Sequence, residues 1–393
     1  MSPRRRLDQL SPDPLRRRML RHVDVLDATP DTLAWKVRAA LRAENSPKRW
    51  LAIVEAVNAM NDAQRADPTW IYWKARALQA MAPDGLAGDS QRRTAKRLLE
   101  RIATRLHYYG MLSAAELGQP IHIPATPPPL TDMDVTHARN NPGLARGLML
   151  MRTGLREEGY AEWRHALRDM NDRSLRAAAQ IACDAEIWTL CMTTSERTRD
   201  EIDMAQRFPT PYREEVEAAA NETGIDAPRL YAVIRQESHF NVKARSVAGA
   251  AGLMQLMPQT ARWVASRYRI PFKHKYLHEP AINVRIGALY LQQVLREFDG
   301  SHVHAAAAYN AGPSRPRRWS KMTSDDMAVW TEIIPIAETR DYVKHVLANA
   351  AYYDALIGNG LPIHPRPSDI PSAPATDVEA TVATGPLLPP GQP

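Results

Sequence analysis

Apolar residues recur at helical spacing along most of the chain. Leu, Ala, Arg, Glu and Met dominate before residue 361, and alternation of β-branched residues is scarce. This pattern predicts an all-α fold. A short motif occurs twice, as Trp35-Lys-Val-Arg-Ala39 and, 38 residues later, as Trp73-Lys-Ala-Arg-Ala77. A period of this length is typical of stacked helix pairs, although chance similarity of two Ala/Arg-rich helices stays an alternative.

Proline clusters divide the helical pattern into parts. Five prolines lie between Pro120 and Pro129, and two more are Pro209 and Pro211. We therefore predict a helical-repeat region over 1–120, a second helical part over 121–210 and a third part over 211–360. Within the second part, a helix pair is predicted to turn at residues 157–159. The tail, 361–393, has nine prolines and no aromatic residue, which predicts disorder.

The charge does not indicate a nucleic-acid partner. The chain carries a net charge of +7, but residues 1–22 hold seven Arg against two Asp. The body of the chain carries little of the charge, so we expect no basic stripe and no nucleic-acid binding. No stretch is apolar enough over the ~18 residues that a membrane helix needs. No group of His, Cys or acidic residues has ligand spacing, so we expect neither a metal nor another cofactor.

The only two cysteines are Cys183 and Cys191. On one continuous helix, eight residues would separate them by about 12 Å, too far for a disulfide. If a turn lies between them, they can pair. The sequence leaves both arrangements open.

One carboxylate falls on an apolar helix face. Asp226 is predicted to cap a helix with Pro228 in its first turn. Apolar residues follow at positions 230, 233 and 234, and the next position on that face is Glu237. Burial raises the pKa of a carboxyl group, and a carboxyl that is protonated near neutral pH suits a general acid. The alternative is a buried structural glutamate paired with an arginine.

Three later segments carry polar residues where chemistry needs them. A small-residue loop over 246–257 precedes a helix predicted to begin at Pro258, and Gln255 in it offers both a donor and an acceptor. A helix then ends at Tyr309-Asn310-Ala-Gly-Pro313, where sugar contact competes with packing and capping. Another helix is predicted to begin within residues 334–340, with Glu338 and Arg340 in it.

These segments together resemble the successive motifs of the soluble lytic transglycosylases. The motifs are Glu237-Ser-His-Phe-Asn241, the loop from Ser246 to Pro258, Ala308-Tyr-Asn-Ala-Gly-Pro313, and Ile334-Pro335 with Glu338-Thr-Arg-Asp-Tyr-Val-Lys344. Four motifs in one order over 211–358 are far more specific than any one alone. Tyr108 to Gly118 and Arg207 to Pro209 also resemble parts of that family's superhelical region and linker domain. This implies a partial α-superhelical region over 1–120 and a helical linker domain over 121–210. The resemblance implies a lysozyme-like, mainly α-helical catalytic domain of the goose type over 211–360.

The resemblance implies an activity and roles for named residues. The family cleaves the β-1,4 bond between N-acetylmuramic acid and N-acetylglucosamine in peptidoglycan without water, leaving a 1,6-anhydro sugar. Glu237 would be the single acid/base. Ser246, Gln255, Met257, Tyr309, Asn310 and Glu338 would line the glycan groove. Glu338 is expected either to orient the substrate or to hold the fold.

Other side chains have structural expectations. We expect Arg340 to pair with a structural carboxylate, with substrate contact as the alternative. For Trp319 and Trp330 we expect core packing, with sugar stacking as the alternative.

Two other functions stay open at this point. A hydrolytic muramidase on the same fold differs only in its product, and a non-catalytic helical-repeat scaffold would bind glycan or protein. The expected partners are peptidoglycan glycan strands and, as an open question, a cell-wall or secretion machinery. The substrate implies a periplasmic location, yet the residues after Met1 do not resemble a signal peptide. We therefore expect Met1 to be an internal start, or the protein to use another route.

Overall fold

The computed structural model describes residues 30–320 and 326–358. These residues are mainly α-helical and form no β-sheet, since their only β pairing is two isolated bridges, Arg245 with Ala251 and Ala251 with Leu256. The predicted all-α fold is confirmed. The basic segment at 1–22 and the predicted disordered tail, 361–393, lie outside the described residues. No helix in the described ranges is long and apolar enough to cross a membrane.

The first part is an array of helices. Its α-helices are α1 Pro30–Arg42, α2 Arg49–Asn58, α3 Asp62–Arg65, α4 Pro68–Met81, α5 Asp89–Ala103 and α6 Tyr108–Glu116. Each longer helix packs on the next, α1 on α2, α2 on α4, α4 on α5 and α5 on α6. The two copies of the repeated motif lie on α1 and α4, so the period of 38 residues corresponds to one step of the array.

The middle part has a hydrophobic core of its own. Its helices are α7 Asp132–Asn140, α8 Pro142–Arg152, α9 Arg156–Ala166, α10 Asp172–Asp184, α11 Trp188–Ser195 and α12 Met204–Arg207. Their core is built on Leu144, Trp163, Leu175 and Ile181. The borders predicted at residues 120 and 210 fall in the non-helical segments 117–131 and 208–212.

The turn of the predicted helix pair lies elsewhere than expected. The prediction set it at residues 157–159, but α8 ends at Arg152 and α9 begins at Arg156. Gly154, with φ +91°, makes the turn. Glu157 and Glu158 instead occupy the first turn of α9, where acidic side chains interact favourably with the helix dipole.

A disulfide joins Cys183 and Cys191. Helix α10 ends at Asp184 and α11 begins at Trp188. The two cysteines therefore lie on different helices, with their Cα atoms 4.9 Å apart. The turn between them therefore decides the question that the sequence left open.

The last part holds the candidate site. Its helices are α13 Arg213–Thr223, α14 Ala227–Ser238, α15 Pro258–Arg267, α16 Pro280–Glu297, α17 His302–Ala311, α18 Ser314–Ser320, α19 Met327–Glu332 and α20 Ala337–Ile357. Helix α20 packs along both α14 and α17, and α13 packs on α16. The helices predicted to begin at Pro258 and within 334–340 are α15 and α20, which confirms both starts.

One hydrophobic core joins the first and last parts of the chain. It includes Leu33 and Trp73 from the array together with Val233 and Tyr353 from α14 and α20. A smaller core under the loop at 241–257 is built on α15 and α16. The array and the site-bearing helices therefore share buried surface, whereas the middle part packs mainly on itself.

Candidate active site

Glu237 lies near the C-terminal end of helix α14. The Asp226 side chain accepts a hydrogen bond from the Arg229 amide and caps the helix, and Pro228 lies in the first turn, as predicted. Leu230, Val233 and Ile234 are buried, also as predicted, and they lie on the same helix face as Glu237. Glu237 itself is only partly buried, at the end of this face.

The Glu237 carboxyl group is held by a tyrosine. The Tyr342 hydroxyl of α20 donates a hydrogen bond to Glu237 Oε1 over 2.6 Å. Burial raises the pKa of Glu237 to about 7, with a further increase from the charge of Glu338, while the Tyr342 hydrogen bond acts in the opposite direction. The predicted rise of this pKa is confirmed.

No positive side chain neutralises Glu237 within residues 30–320 and 326–358. A structural glutamate would need such a partner, because an unpaired buried charge is costly. The burial of Glu237, with a tyrosine hydrogen bond and no ion pair, instead allows the group to gain and lose a proton near neutral pH. This is the requirement for a general acid that later acts as a base.

The small-residue loop is tied together by its own hydrogen bonds. Ser246 is exposed, and its Oγ accepts a hydrogen bond from the Ala250 amide over 3.0 Å. Gln255 Nε2 donates to the carbonyl oxygens of Gly252 at 2.8 Å and Ala244 at 3.2 Å. The amide nitrogen of Gln255 therefore holds the loop. These contacts are internal to the loop and do not test the substrate roles predicted for Ser246 and Gln255.

Asn283 fixes this loop from below. It is 1% exposed on α16, accepts a hydrogen bond from the Met254 amide at 2.7 Å, and donates to the carbonyl oxygens of Ala251 and Leu277. Gly252, with φ +81°, passes so close that a Cβ would lie 2.0 Å from the Leu277 oxygen. The loop thus has little freedom at this point.

Tyr309 and Asn310 connect the loop and α20. The Tyr309 hydroxyl donates to the Met254 carbonyl oxygen over 2.9 Å, and burial together with the Glu237 charge raises its pKa. Asn310 Oδ1 accepts a hydrogen bond from Thr339 Oγ1 over 2.8 Å. Asn310 therefore links α17 to α20.

The remaining predicted groove residues are exposed. Glu338 lies on the first turn of α20, one turn before Tyr342, and Met257 is 41% exposed just before α15. The structure brings Glu338 and Tyr309 each within electrostatic reach of Glu237. Ser246, Gln255 and Met257 belong to the loop whose position Asn283 and Tyr309 secure.

Two further expectations have clear outcomes. Trp330 is 2% exposed and packs against His304, which confirms core packing, and Trp319 is partly buried against the same core. Arg340 was expected to pair with a carboxylate, but its Nη1 donates to the Ile334 carbonyl oxygen over 2.9 Å. That expectation is wrong because a backbone carbonyl at the bend before α20 takes the place of the acid.

Sequence reasoning missed three residues that shape the site: Tyr342, Asn283 and Glu332. Tyr342 follows Glu338 by one helical turn, a spacing that indicates a shared face. Asn283 is a polar residue on an otherwise apolar helix face. Glu332 is fully buried at the end of α19, and two of its partners, Arg38 and Tyr109, come from distant parts of the sequence.

The described residues contain no group of three or more His, Cys, Asp or Glu side chains placed to hold a metal ion. The last part of the chain is thus an all-helical unit with a partly buried glutamate whose pKa is raised to about 7.

Two parts of the chain match family models of the soluble lytic transglycosylases. Residues 214–328 match the transglycosylase SLT domain, and residues 333–362 match the soluble lytic transglycosylase helical domain. The first match contains Glu237 and the loop that follows it, and the second contains α20.

Known proteins of similar sequence carry the same description. The chain is 32% identical to the soluble lytic murein transglycosylase of Salmonella typhimurium over 294 residues, and 30% identical to that of Escherichia coli K12 over 295 residues. Each alignment covers 74% of this chain and 44% of the relative. The chain therefore spans less than half the length of these relatives.

A solved structure agrees in fold. An inactive mutant of lytic transglycosylase Slt from Pseudomonas aeruginosa superposes with a TM-score of 0.75 at 32% identity. The superposition covers 86% of this chain and 53% of that one. It includes much more than the SLT domain, so the helices that precede α13 are similar as well.

Proposed function

We propose that this protein is a peptidoglycan lytic transglycosylase. It would cleave the β-1,4 bond between N-acetylmuramic acid and N-acetylglucosamine and form a 1,6-anhydromuramoyl product. The observation that carries the proposal is the Glu237 carboxyl group, which has a pKa of about 7, a tyrosine partner and no ion pair in the described part of the chain.

In the first step, Glu237 acts as the acid. Protonated Glu237 gives its proton to the glycosidic oxygen, and the bond between C1 of the muramic acid and O4 of N-acetylglucosamine breaks. N-acetylglucosamine then leaves with a free 4-hydroxyl. The carboxylate that remains keeps the hydrogen bond from the Tyr342 hydroxyl on Oε1. This bond stabilises the charged form and leaves Oε2 for the substrate.

In the second step, the same carboxylate acts as the base. It takes the proton of the muramic acid C6 hydroxyl, and the C6 oxygen forms the new bond to C1. The proton returns Glu237 to its starting state, so no water is consumed. Between the steps, the neighbouring N-acetyl carbonyl oxygen would stabilise C1, as in other glycosidases that rely on their substrate for this role.

The surrounding residues would bind the glycan strand. Ser246, Gln255 and Met257 on the loop would line one side of the groove, and Tyr309, Asn310 and Glu338 the other. The hydrogen bonds within the loop and to Asn283 support a preformed site, because a rigid groove loses less entropy when the substrate binds.

A hydrolytic muramidase is the second candidate. Glu338 favours it, because this exposed carboxylate lies close enough to Glu237 to raise its pKa. A glycosidase with two carboxylates would use Glu338 to activate water or to stabilise C1. In the transglycosylase mechanism Glu338 contacts the substrate but takes no part in proton transfer.

We propose a periplasmic location. Peptidoglycan lies outside the cytoplasm, and the disulfide between Cys183 and Cys191 supports an oxidising compartment. The proposed partners are peptidoglycan glycan strands, and a cell-wall or secretion machinery partner is an open extension of this proposal.

The product of the wild-type protein tests the mechanism. Purified peptidoglycan is digested, and the released muropeptides are identified by mass spectrometry before and after borohydride reduction. We expect products one water lighter than those of a muramidase and resistant to reduction. Reducible muramic acid ends would instead establish the muramidase.

Variants test the roles of the two carboxylates. Glu237→Gln should lose at least about 10²- to 10⁴-fold in rate, the usual contribution of acid–base catalysis. Glu217→Gln is the matched control, since Glu217 is exposed on α13 and pairs with Arg213. Glu338→Gln should raise KM more than it lowers kcat. Activity retained by Glu237→Gln would refute the proposed acid/base.

A further inference from the structure

Helix α20 presents two opposite faces. Glu338 and Tyr342 are four residues apart and face the site, where Tyr342 donates to Glu237. Arg340 and Lys344 are also four residues apart. Each follows Glu338 or Tyr342 by two residues, so this pair lies about 200° around the helix axis from the first pair. Their side chains contact residues of the array and of α19. Helix α20 is thus held between Glu237 and the N-terminal array.

Glu332 is the centre of the contact with the array. It is fully buried, and it accepts hydrogen bonds from Arg38 Nε of α1 at 2.8 Å and from Lys344 Nζ of α20 at 2.6 Å. The Tyr109 hydroxyl of α6 donates to the same carboxylate. Burial opposes ionisation, but the charges of Lys344 and Arg38 lower the pKa of Glu332 to about 2. One carboxylate therefore joins two array helices to α20.

The repeated sequence motif supplies a second contact. Its first copy carries Arg38 and its second copy carries Arg76, whose Nη1 lies 2.7 Å from Asp326 Oδ2. Asp326 caps α19, and Glu332 is the last residue of that helix. The two equivalent arginines of the motif therefore hold the two ends of α19, the helix that leads into α20.

We propose that Arg38 is a positioning residue for the acid/base site: through Glu332 and Lys344 it holds α20 where Tyr342 can bond to Glu237. This inference rests on the proposed function for its kinetic consequence. The array is then part of the catalytic unit, although none of its described side chains donates to or accepts from Glu237.

A purely structural role for Arg38 is the alternative. Buried ion pairs often add little net stability, and removing one partner destabilises the fold because a charge is left unpaired. Loss of stability on substitution is thus expected under both explanations. The distinguishing property is coupling between Arg38 and Tyr342, which lie on different helices and have different hydrogen-bond partners.

A double-mutant cycle measures that coupling. Arg38→Met, Tyr342→Phe and the double variant are assayed for kcat and KM on soluble glycan strands, well below their unfolding temperatures. We expect Arg38→Met to lower kcat by about 10- to 100-fold, because small displacements of catalytic groups have effects of this size. KM should stay within about twofold. In the Tyr342→Phe background, Arg38→Met should lower kcat little further.

Arg176→Met is the matched control. Arg176 of α10 has a side chain only 3% exposed, pairs with Glu201, and belongs to the middle part of the chain. This variant should lose stability and keep the wild-type kcat. Arg38→Lys, which preserves the charge, should recover part of the activity. If Arg38→Met does not fold, Arg38→Lys replaces it in the cycle.

A second measurement does not depend on turnover. Carboxyl NMR titration follows the pKa of Glu237, which faces Tyr342 and Glu338 from α20 and Tyr309 from α17. Loss of the Tyr342 hydrogen bond should raise this pKa in Arg38→Met, as it does in Tyr342→Phe. An unchanged pKa, or effects on kcat that multiply in the double variant, would overturn the positioning role. Reducing product ends in the wild type would overturn only the transglycosylase mechanism.

Discussion

Replacing Glu237 by Gln should stabilise the protein in alkaline solution. The pKa of Glu237 is about 7 in the fold against an ordinary value of 4.5. Between these two pH values the folded protein binds more protons than the unfolded chain. The free energy of unfolding therefore falls as pH rises through this window, and above pH 7 the ionised group keeps its full cost.

The size of the effect follows from the shift in pKa. One pKa unit corresponds to about 1.4 kcal/mol, so the shift from 4.5 to about 7 means that the charged carboxyl costs at most about 3.5 kcal/mol above pH 7. Glutamine has no such cost and still accepts the Tyr342 hydrogen bond. Its amide NH₂ adds a donor to a partly buried site, which reduces the gain. We expect a stabilisation of about 2 kcal/mol at pH 8 and little or none at pH 4.5.

Urea unfolding of the wild type and of Glu237→Gln at pH 4.5, 6 and 8 measures this difference. Because other groups also titrate, the informative quantity is the variant minus the wild type at each pH. Glu217→Gln is the control, and its difference should be small throughout. A Glu237→Gln difference that is equal at pH 4.5 and 8, or larger at pH 4.5, would refute the reasoning.

Three further predictions concern other contacts. Tyr342→Phe removes a hydrogen bond to the charged form of Glu237, so the alkaline limb of kcat/KM should move up by about one to two pH units; a fixed limb contradicts this. Gly252→Ala needs a Cβ at 2.0 Å from a carbonyl oxygen and at φ +81°, so thermal unfolding should show a loss of about 2 kcal/mol or more. Thiol labelling of the unreduced protein should detect no free Cys183 or Cys191. Replacing both by Ala should cost about 2 kcal/mol and leave kcat unchanged, a result that a drop in kcat would contradict.

Local patterns in the sequence predicted much of the site. Glu237 follows from the periodicity of one helix and from the rule that burial raises the pKa of an acid. The starts of α14, α15 and α20 follow from Asp226 and from prolines at positions where helices tolerate them. These features depend on residues within a few turns of one another.

Contacts between distant segments could not be predicted in the same way. Tyr342 is 105 residues from Glu237, and Arg38 is 294 residues from Glu332. A helix pattern indicates which face is polar but not which other helix it will meet. The disulfide also depended on a single turn, since Cys183 and Cys191 can pair only because α10 ends between them.

The contact between Arg38 and Glu332 has a consequence for synthesis on the ribosome. Arg38 is made 294 residues before its partner, an interval of about 15 to 60 seconds at ordinary rates of translation. During that time α19 and α20 have not yet been made, so the apolar residues that the array contributes to the shared core stay exposed to solvent. The middle part has its own core and can fold while synthesis continues. We therefore expect the order of folding to differ from the order of the chain, with the first helices among the last to reach their final packing.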